Sequence, residues 1–130
     1  RFVADFVGTM IFMSGEVVEV VPNSNEVYVH TKFSEKMLCT MLDSEAARTG
    51  EKVYASIRPE DVEIFTVSPQ TRENLFKGTI VHRAYLGNFL YFFIRVNDTM
   101  IRVQVPHHVS QEEGQGLYLY LNPEKCMILL

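Results

Sequence analysis

The chain has 130 residues, 47% hydrophobic and 22% charged, which fits one globular domain and excludes a disordered or low-complexity protein. Twelve Lys and Arg residues against sixteen Asp and Glu residues give a net charge of −4. An acidic chain lacks the clustered basic surface that binds phosphates, so we expect no nucleic-acid partner. Cys39 and Cys126 have no histidines at metal-ligand spacing and predict buried thiols rather than a disulfide framework or a zinc site.

The start of the chain carries no targeting signal that the sequence pattern reveals. Residues 2–13 are apolar, but they lack the charged start and cleavage site of a signal peptide. No apolar run reaches the length that crosses a bilayer. Because the first residue is Arg1, we expect the chain to be a piece of a longer protein.

Short segments rich in valine and aromatic residues follow one another along the chain and predict β-strands. Turn-forming clusters such as Pro22-Asn23-Ser24-Asn25 separate them. This spacing is typical of a β-sandwich or a small barrel. Residues 2–6 are too few to assign. The predicted strands are 15–21, 26–33, 37–42, 53–58, 62–65, 78–85, 89–96, 100–105 and 117–121.

The chain contains an internal repeat. Residues 50–65 align with residues 114–129 at an offset of 64 without a gap, and earlier segments align at an offset of 63. At the offset of 64, the segment 37–42 falls on the alternating apolar set of a strand, which favours a strand over a helix there. The matched pairs are Gly50/Gly114, Tyr54/Tyr118, Pro59/Pro123, Glu60/Glu124, Ile64/Ile128, Met37/Ile101, Cys39/Val103, Met41/Val105, Gly15/Gly78, Val17/Ile80, Val18/Val81, Asn25/Asn88 and Tyr28/Tyr91.

The repeat predicts an all-β architecture of two similar five-stranded lobes. Residues 15–67 would form the first lobe and residues 76–130 the second, joined by a linker over 68–75 and preceded by a linker over 1–14. About 50 residues are too few to bury a comfortable core alone. We therefore expect the lobes to share an interface or to exchange strands.

The sequence offers no catalytic, cofactor-binding or metal-binding motif. It has no Gly-rich phosphate loop, no dinucleotide fingerprint and no nucleophile elbow. The nearest approach to a metal pair is His107-His108, but neighbouring residues of a strand point to opposite faces. We expect these two histidines to lie in a solvated loop. His30 and His82 have no evident carboxylate partner along the sequence.

Arg58-Pro59-Glu60-Asp61 is the densest polar cluster beside an apolar strand. One interpretation is contact with a partner domain or ligand. In the other, Pro59 ends the strand and Glu60 or Asp61 accepts backbone N–H groups at a turn. The recurrence of Pro-Glu at 123–124 favours the structural role for Pro59 and Glu60, whereas Arg58 aligns with Asn122 and stays open.

A second motif, Tyr85-Leu86-Gly87-Asn88, lies between two long apolar strands, and Gly87-Asn88 suits a turn that needs positive φ. Phe89, Tyr91, Phe92 and Phe93 make this hairpin the aromatic centre of the chain. Core packing is the favoured role of these rings. Base stacking is the alternative, but the acidic charge argues against it.

Three segments together resemble the TOBE domain, the OB-like accessory domain at the C-terminus of ATP-binding subunits of ABC importers. They are 56–62 (Ser-Ile-Arg-Pro-Glu-Asp-Val), 78–87 (ending Tyr-Leu-Gly) and 116–124 (ending Asn-Pro-Glu). The opening residues 1–8 resemble the segment that leaves the nucleotide-binding domain in such subunits. Within the family, the chain is most similar to importers of spermidine/putrescine, ferric iron or aminoethylphosphonate.

The resemblance implies two OB-like lobes of the TOBE/MOP type, with ATP and Mg²⁺ held by an upstream domain and no catalysis by this chain. It implies three partners: that nucleotide-binding domain, a second copy of the ATPase subunit and, through the parent, membrane permease subunits. The location implied is the cytoplasmic face of the inner membrane. The candidate interdomain or structural residues are Arg58, Pro59, Glu60, Tyr85, Leu86 and Gly87.

Two further expectations concern binding. Relatives of this fold bind oxyanions such as molybdate, and Thr31, Lys32 and Lys36 are the residues that would serve a small-ligand module here. The many methionine, phenylalanine and tyrosine residues of two small lobes also predict symmetric self-association. The expected contact segments are 37–42 and 107–113.

Overall fold

The computed structural model describes residues 5–7, 10–42, 47–70 and 73–129. Within these residues the fold is all-β apart from a three-residue 3₁₀ turn at Pro59–Asp61, and no helix is long and apolar enough to span a membrane. The strands are β1 (Asp5–Val7), β2 (Met10–Val20), β3 (Glu26–Thr31), β4 (Met37–Met41), β5 (Lys52–Ile57), β6 (Val62–Phe65), β7 (Leu75–Leu86), β8 (Phe89–Val96), β9 (Thr99–Val105), β10 (Gly116–Leu121) and β11 (Met127–Leu129).

The strands form two sheets. In the first, the order β2-β3-β4-β11-β5 returns to β2, so that five strands close into a barrel, and β1 pairs with the start of β2. The second sheet has the order β6-β10-β7-β8-β9. The prediction of two five-stranded lobes is therefore confirmed.

The two sheets exchange one short strand each. Strand β6 follows β5 along the chain but pairs with β10 in the second sheet, whereas β11 follows β10 and pairs with β4 and β5 in the first barrel. Ile64 lies opposite Leu119, and Ile128 lies opposite Ala55, which are equivalent positions of the repeat. The exchange is reciprocal, so the first barrel and the second sheet each contain one strand from the other half of the chain.

Alternating burial explains why these segments are strands. In β9, Thr99, Ile101, Val103 and Val105 are buried and the residues between them are half-buried. The predicted strand 37–42 is confirmed over Met37–Met41, whose apolar side chains join the same core cluster. Residues 43–46 lie outside the described residues. One continuous apolar core therefore serves both sheets.

Backbone hydrogen bonds repeat between the two halves. The Gly50 N–H donates to the Val17 carbonyl at 2.8 Å, and the Gly114 N–H donates to the Ile80 carbonyl at 2.8 Å. Both glycines have φ near +90°, at 92° and 91°. A register shift also occurs at equivalent places, after Val17 in β2 and after Ile80 in β7. The alignments at offsets of 63 and 64 are confirmed in these segments.

The first hairpin of each half departs from that alignment. Tyr28 lies opposite Glu19, whereas Phe93 lies opposite His82, so the structural equivalent of Tyr28 is Phe93 and the alignment with Tyr91 was wrong. Nine positions separate the first pair and eleven the second. The β7–β8 hairpin is therefore two residues longer than the β2–β3 hairpin, a difference that a gap-free alignment hides.

The ranges read from the sequence differ from the strands at several places. Residues 10–14, expected in a linker, belong to β2 because they pair with β5. Residues 62–65 fall within the range of the first lobe but pair in the second sheet, and residues 127–129 do the reverse. Residues 1–4, 8–9, 71–72 and 130 of the expected linkers and second lobe lie outside the described residues.

Gly15 and Gly78 occupy equivalent positions at which two strands approach closely. A Cβ atom on Gly15 would lie 2.6 Å from the His30 carbonyl oxygen and 2.7 Å from Val29 Cγ1. On Gly78, a Cβ atom would lie 2.6 Å from Ile94 Cγ2. Glycine in a strand interior is the usual sign of such an approach. The absence of a side chain lets the long strands β2 and β7 each bend across two neighbours.

We expect Gly15→Ala to lower the free energy of unfolding by about 1–3 kcal/mol, because the added methyl group meets backbone that belongs to a buried ladder. Gly116→Ala is the matched control, since its Cβ atom would meet nothing nearer than the Gly78 carbonyl oxygen at 3.6 Å. Urea denaturation of both variants measures the difference. Equal stabilities of the two variants would contradict the close-approach argument.

Candidate interaction surface

The Arg58-Pro59-Glu60-Asp61 motif forms the 3₁₀ turn that carries the chain from β5 in the first barrel to β6 in the second sheet. Pro59 occupies the first position of the turn and is buried, and the Asp61 N–H donates to the Arg58 carbonyl at 2.9 Å. In the other half, the Lys125 N–H donates to the Asn122 carbonyl at 2.8 Å. The motif therefore sits at the crossover on which strand exchange depends.

Arg58 and Glu60 are exposed on this turn. Neither side chain makes a hydrogen bond or ion pair within the described residues. The expectation that Glu60 satisfies buried backbone donors thus finds no contact in the part of the chain that the structure describes. Both side chains remain available to another molecule, which is the interpretation that the sequence had left open for Arg58.

The tip of the β7–β8 hairpin exposes large apolar side chains. Gly87 has a φ of 66° in a two-residue loop that follows Leu86, the arrangement in which type II′ hairpins place glycine. Tyr85 is 57%, Leu86 43% and Phe89 51% exposed. These three residues and His107 are called the tip surface. The prediction that all rings of this hairpin pack in the core holds for Phe92, which is buried, but not at the tip.

His107 lies in an exposed loop, as expected, and contacts the hairpin tip. Its Nε2 lies 2.8 Å from the Asn88 carbonyl oxygen, and because a carbonyl only accepts, Nε2 carries the donated proton. The imidazole also stands edge-on to Tyr85 with ring centroids 5.8 Å apart. These contacts fix the Tyr85 ring in an exposed position. His108 remains exposed.

Two further side-chain contacts hold the loop 106–115 against the part of β7 where the register shifts. His82 Nδ1 lies 3.0 Å from Glu113 Oε2, and the Arg83 guanidinium donates to the Val109 carbonyl at 3.1 Å. This contact could not be predicted from the sequence, because His82 and Glu113 are far apart along the chain. The expectation that His82 has no carboxylate partner was therefore wrong.

Asn74 binds both halves of the chain through one side chain, and the sequence placed it in a polar linker. Its Oδ1 accepts the Leu38 N–H at 2.8 Å, and its Nδ2 donates to the carbonyls of Leu38 at 2.8 Å and Leu121 at 2.7 Å. The Asn74 carbonyl accepts the Leu121 N–H at 3.0 Å. The buried amide thus replaces a strand neighbour for β4 and for the end of β10.

Two groups expected to act in binding are engaged elsewhere. The Oγ1 atom of Thr31 accepts the N–H groups of Phe33 and Ser34 at 3.0 and 3.2 Å. Lys36 pairs with Glu19 at 3.0 Å and lies over the Tyr28 ring.

The Tyr28 hydroxyl itself lies among carboxylates. The hydrogen bond with Glu73 raises the pKa of Tyr28 above its ordinary value, and burial and nearby carboxylates add to the shift.

Two of the three residues proposed for oxyanions, Thr31 and Lys32, line an open groove, and of these only Lys32 carries a charge. The groove runs along β2, β3 and β5 and is lined by Ser14, Glu16, His30, Lys32, Lys52 and Tyr54. Lys52 pairs with Glu16 at 3.5 Å, which neutralises part of its charge. Within the described ranges, no cluster of three or more His, Cys, Asp or Glu side chains is arranged to hold a metal ion.

The segment 37–42 does not provide the expected contact surface. Strand β4 lies between β3 and β11, and Met37, Cys39 and Met41 are buried in the core. Only Leu42, just beyond the strand, is largely exposed. The methionine-rich strand therefore packs inside the first barrel. The tip surface exposes three large apolar side chains, whereas the segment 37–42 exposes only Leu42.

Comparison with known proteins identifies the family. The TOBE domain family model matches residues 55–129, which is more than half of the chain, and the chain belongs to this family. The match begins in β5 and includes both exchanged strands.

Relatives extend the similarity over nearly the whole chain. The spermidine/putrescine import ATP-binding protein PotA of Trichormus variabilis is 27% identical over 98% of this chain. The protein of the same name from Protochlamydia amoebophila is 30% identical over 82% of this chain. The chain spans about a third of the length of these relatives, 34% and 28% respectively.

A solved structure shares the fold. The cytoplasmic molybdate-binding protein ModG, crystallised with molybdate bound, superposes with a TM-score of 0.75. The match covers 90% of this chain and 93% of that protein at 15% sequence identity. At this identity the likeness shows the fold alone, and it confirms the prediction of a MOP-like arrangement.

Asn74→Gly tests the role of the buried amide. Glycine keeps the left-handed backbone, since Asn74 has a φ of 61°, but leaves the Leu38 N–H and two carbonyls without partners. We expect a loss of about 2–4 kcal/mol in the free energy of unfolding, because buried unsatisfied groups are costly.

Asn23→Gly is the control for the Asn74 variant. Asn23 has a φ of 57° and is exposed, so the same substitution changes the backbone preference alone. Its stability should stay within about 0.5 kcal/mol of the parent chain. Urea denaturation measures the free energy of unfolding of both variants. Similar losses in the two variants would show that the amide contacts contribute little to stability.

Proposed function

We propose that this chain is the accessory domain of an ABC-type importer ATP-binding protein and that it supplies protein–protein contacts rather than chemistry. The observation that carries the proposal is the match along 98% of the chain to import ATP-binding proteins of which it spans only 34%. The remaining two thirds of such a protein has room for the ATPase. Polyamines are the first solutes to test, because the relatives are named for spermidine and putrescine import.

The sequence supports a division of labour within the parent protein. It contains no phosphate-binding loop, so ATP and Mg²⁺ would be held by the nucleotide-binding domain of the parent, and this chain would not hydrolyse ATP by itself. Its partners would be that domain, a second copy of the ATPase subunit and, through the parent, the membrane permease. It would then work at the cytoplasmic face of the inner membrane, with no nucleic-acid partner.

The geometry suits a docking role. A barrel and a sheet that exchange strands form a stiff frame. Coupling between two sites requires a stable contact surface that responds to both. The tip surface offers exposed aromatic and aliphatic side chains held by the His107 contacts. Aromatic residues are enriched at protein interfaces. Arg58 and Glu60 add a charged site at the crossover turn.

We propose that two copies associate weakly through the tip surface. Replacing Tyr85 and Leu86 by serine should remove this association without loss of fold, because both side chains are exposed and the Gly87 turn is untouched. Sedimentation from about 10 µM to about 1 mM measures it, a range that suits a weak dimer. The parent chain should approach the mass of a dimer at the highest concentrations, and the variant should stay at 15.0 kDa.

Tyr54→Ser is the matched control for the tip variant. Tyr54 is 49% exposed, close to the 57% of Tyr85, but it lies on β5 in the first barrel. Its sedimentation should match that of the parent chain. Cells that lack the parent gene should regain spermidine uptake when the full-length parent protein carries the control substitution, and less uptake when it carries the tip substitutions. Full uptake with the tip variant would remove the functional role from this surface.

A second candidate function is binding of an oxyanion. The likeness to the molybdate-binding protein ModG and the position of Lys32 in the groove favour it. The engagement of Thr31 by backbone and of Lys36 by Glu19 weighs against it.

Calorimetry of the chain with MgATP and, separately, with molybdate distinguishes the two functions. We expect no saturable heat from either ligand at micromolar concentrations, because the sequence has no phosphate-cradling loop and Lys52 of the groove pairs with Glu16. Saturable binding of molybdate would replace the first proposal by the second. Saturable binding of ATP would contradict both.

A further inference from the structure

The two cysteines come from opposite halves of the repeat and meet where β11 enters the first barrel. Strand β11 runs parallel to β4, with Met127 opposite Thr40 and Ile128 opposite Met41. The preceding position of this register places Cys126 beside Cys39, and the Thr40 N–H donates to the Cys126 carbonyl at 2.8 Å. The exchange of strands thus creates a pair that neither half contains alone.

Both side chains point into the same core. Cys39 and Cys126 are fully buried and free, whereas Thr40 and Met127, the next residues of each strand, are half-buried on the other face. Neighbouring strands lie about 4.7–4.9 Å apart, which is within the Cα separations of about 4.4–6.8 Å that disulfides span. The spacing of neighbouring strands therefore allows a disulfide between the two cysteines.

We propose that Cys39 and Cys126 form a reversible disulfide that fastens the exchanged strand β11 to β4 when the chain meets a disulfide oxidant. The oxidant is of the class of oxidised glutathione. The crosslink joins the first half of the chain to the second at the place where β11, a three-residue strand, completes the first barrel.

The exchange balances in two steps. The thiolate of one cysteine attacks a sulfur of oxidised glutathione, breaks its S–S bond, forms a mixed disulfide and releases one glutathione thiolate. The thiolate of the other cysteine then attacks the protein sulfur of the mixed disulfide and releases the second glutathione. The protein thiols lose two electrons and two protons, which the two glutathione molecules take up.

Burial sets when this reaction occurs. The hydrogen bond with Cys39 and the burial of the site raise the pKa of the Cys126 thiol far above its ordinary value, so the closed barrel holds no thiolate there. Oxidation therefore requires the unfolding step in which β11 leaves β4. Once formed, the bond closes a long loop between residues 39 and 126 and restricts the unfolded chain.

The test is oxidation of the chain with oxidised glutathione at urea concentrations below the unfolding transition. We expect both free thiols to disappear, the mass to fall by two hydrogen atoms, and peptide mapping to join the segments of Cys39 and Cys126. The reaction should be faster with urea than without it. The oxidised chain should melt about 10 °C higher, a gain that reduction reverses.

Cys39→Ala and Cys126→Ala are the controls, and each should take up one glutathione with no internal link. If either variant fails to fold, the mass and peptide map of the parent chain still decide. Glutathione adducts without an internal link, or links only between two chains, would overturn the proposal. A lower melting temperature of the oxidised chain would overturn the stabilising role of the crosslink.

Discussion

Each half of the chain contributes one strand to the sheet of the other half, β6 to the second sheet and β11 to the first. Each half has too few residues to bury a core alone, and one strand of its sheet comes from the other half. The exchanged strands are only four and three residues long, so their own pairing is weak. Asn74 strengthens the junction, because its amide satisfies backbone groups of both halves at once. The two repeats therefore fold as one unit.

The exposed apolar side chains of the hairpin tip lie where the two halves of the chain differ. The β2–β3 hairpin turns through an exposed polar cluster at Pro22-Asn23-Ser24-Asn25, whereas the longer β7–β8 hairpin ends in Tyr85, Leu86 and Phe89. The core and the crossover turns are shared by both halves and explain the fold. The added residues of the second hairpin contribute nothing to the closure of either sheet. The proposed role in contacting another protein would account for their exposure.

Much of the fold was predictable because its signals are local or repeated. All nine predicted strands are present, since alternation of apolar residues and turn chemistry mark them, and the repeat identified β4 where propensity alone suggested a helix. The expectation of shared or exchanged strands came from size alone. Strands β1 and β11 have three residues each and give no periodic signal.

The site was less predictable because its contacts join residues that are distant along the chain. Three contacts depend on which strands become neighbours: those of His82 with Glu113, of Asn74 with Leu38 and of Cys39 with Cys126. Composition and spacing do not contain that information. The positive φ of Gly87 followed from turn chemistry, but the exposure of Tyr85 and Leu86 followed only from the length of the hairpin.

Native-state hydrogen exchange of two amides tests the central claim that the halves form one cooperative unit. The Thr40 N–H is bonded to Cys126 in the first barrel, and the Ile80 N–H is bonded to Gln115 in the second sheet. We expect the same opening free energy and the same urea dependence for both amides, equal to those of global unfolding. Opening of one amide at a lower free energy, with a smaller urea dependence than the other, would contradict it.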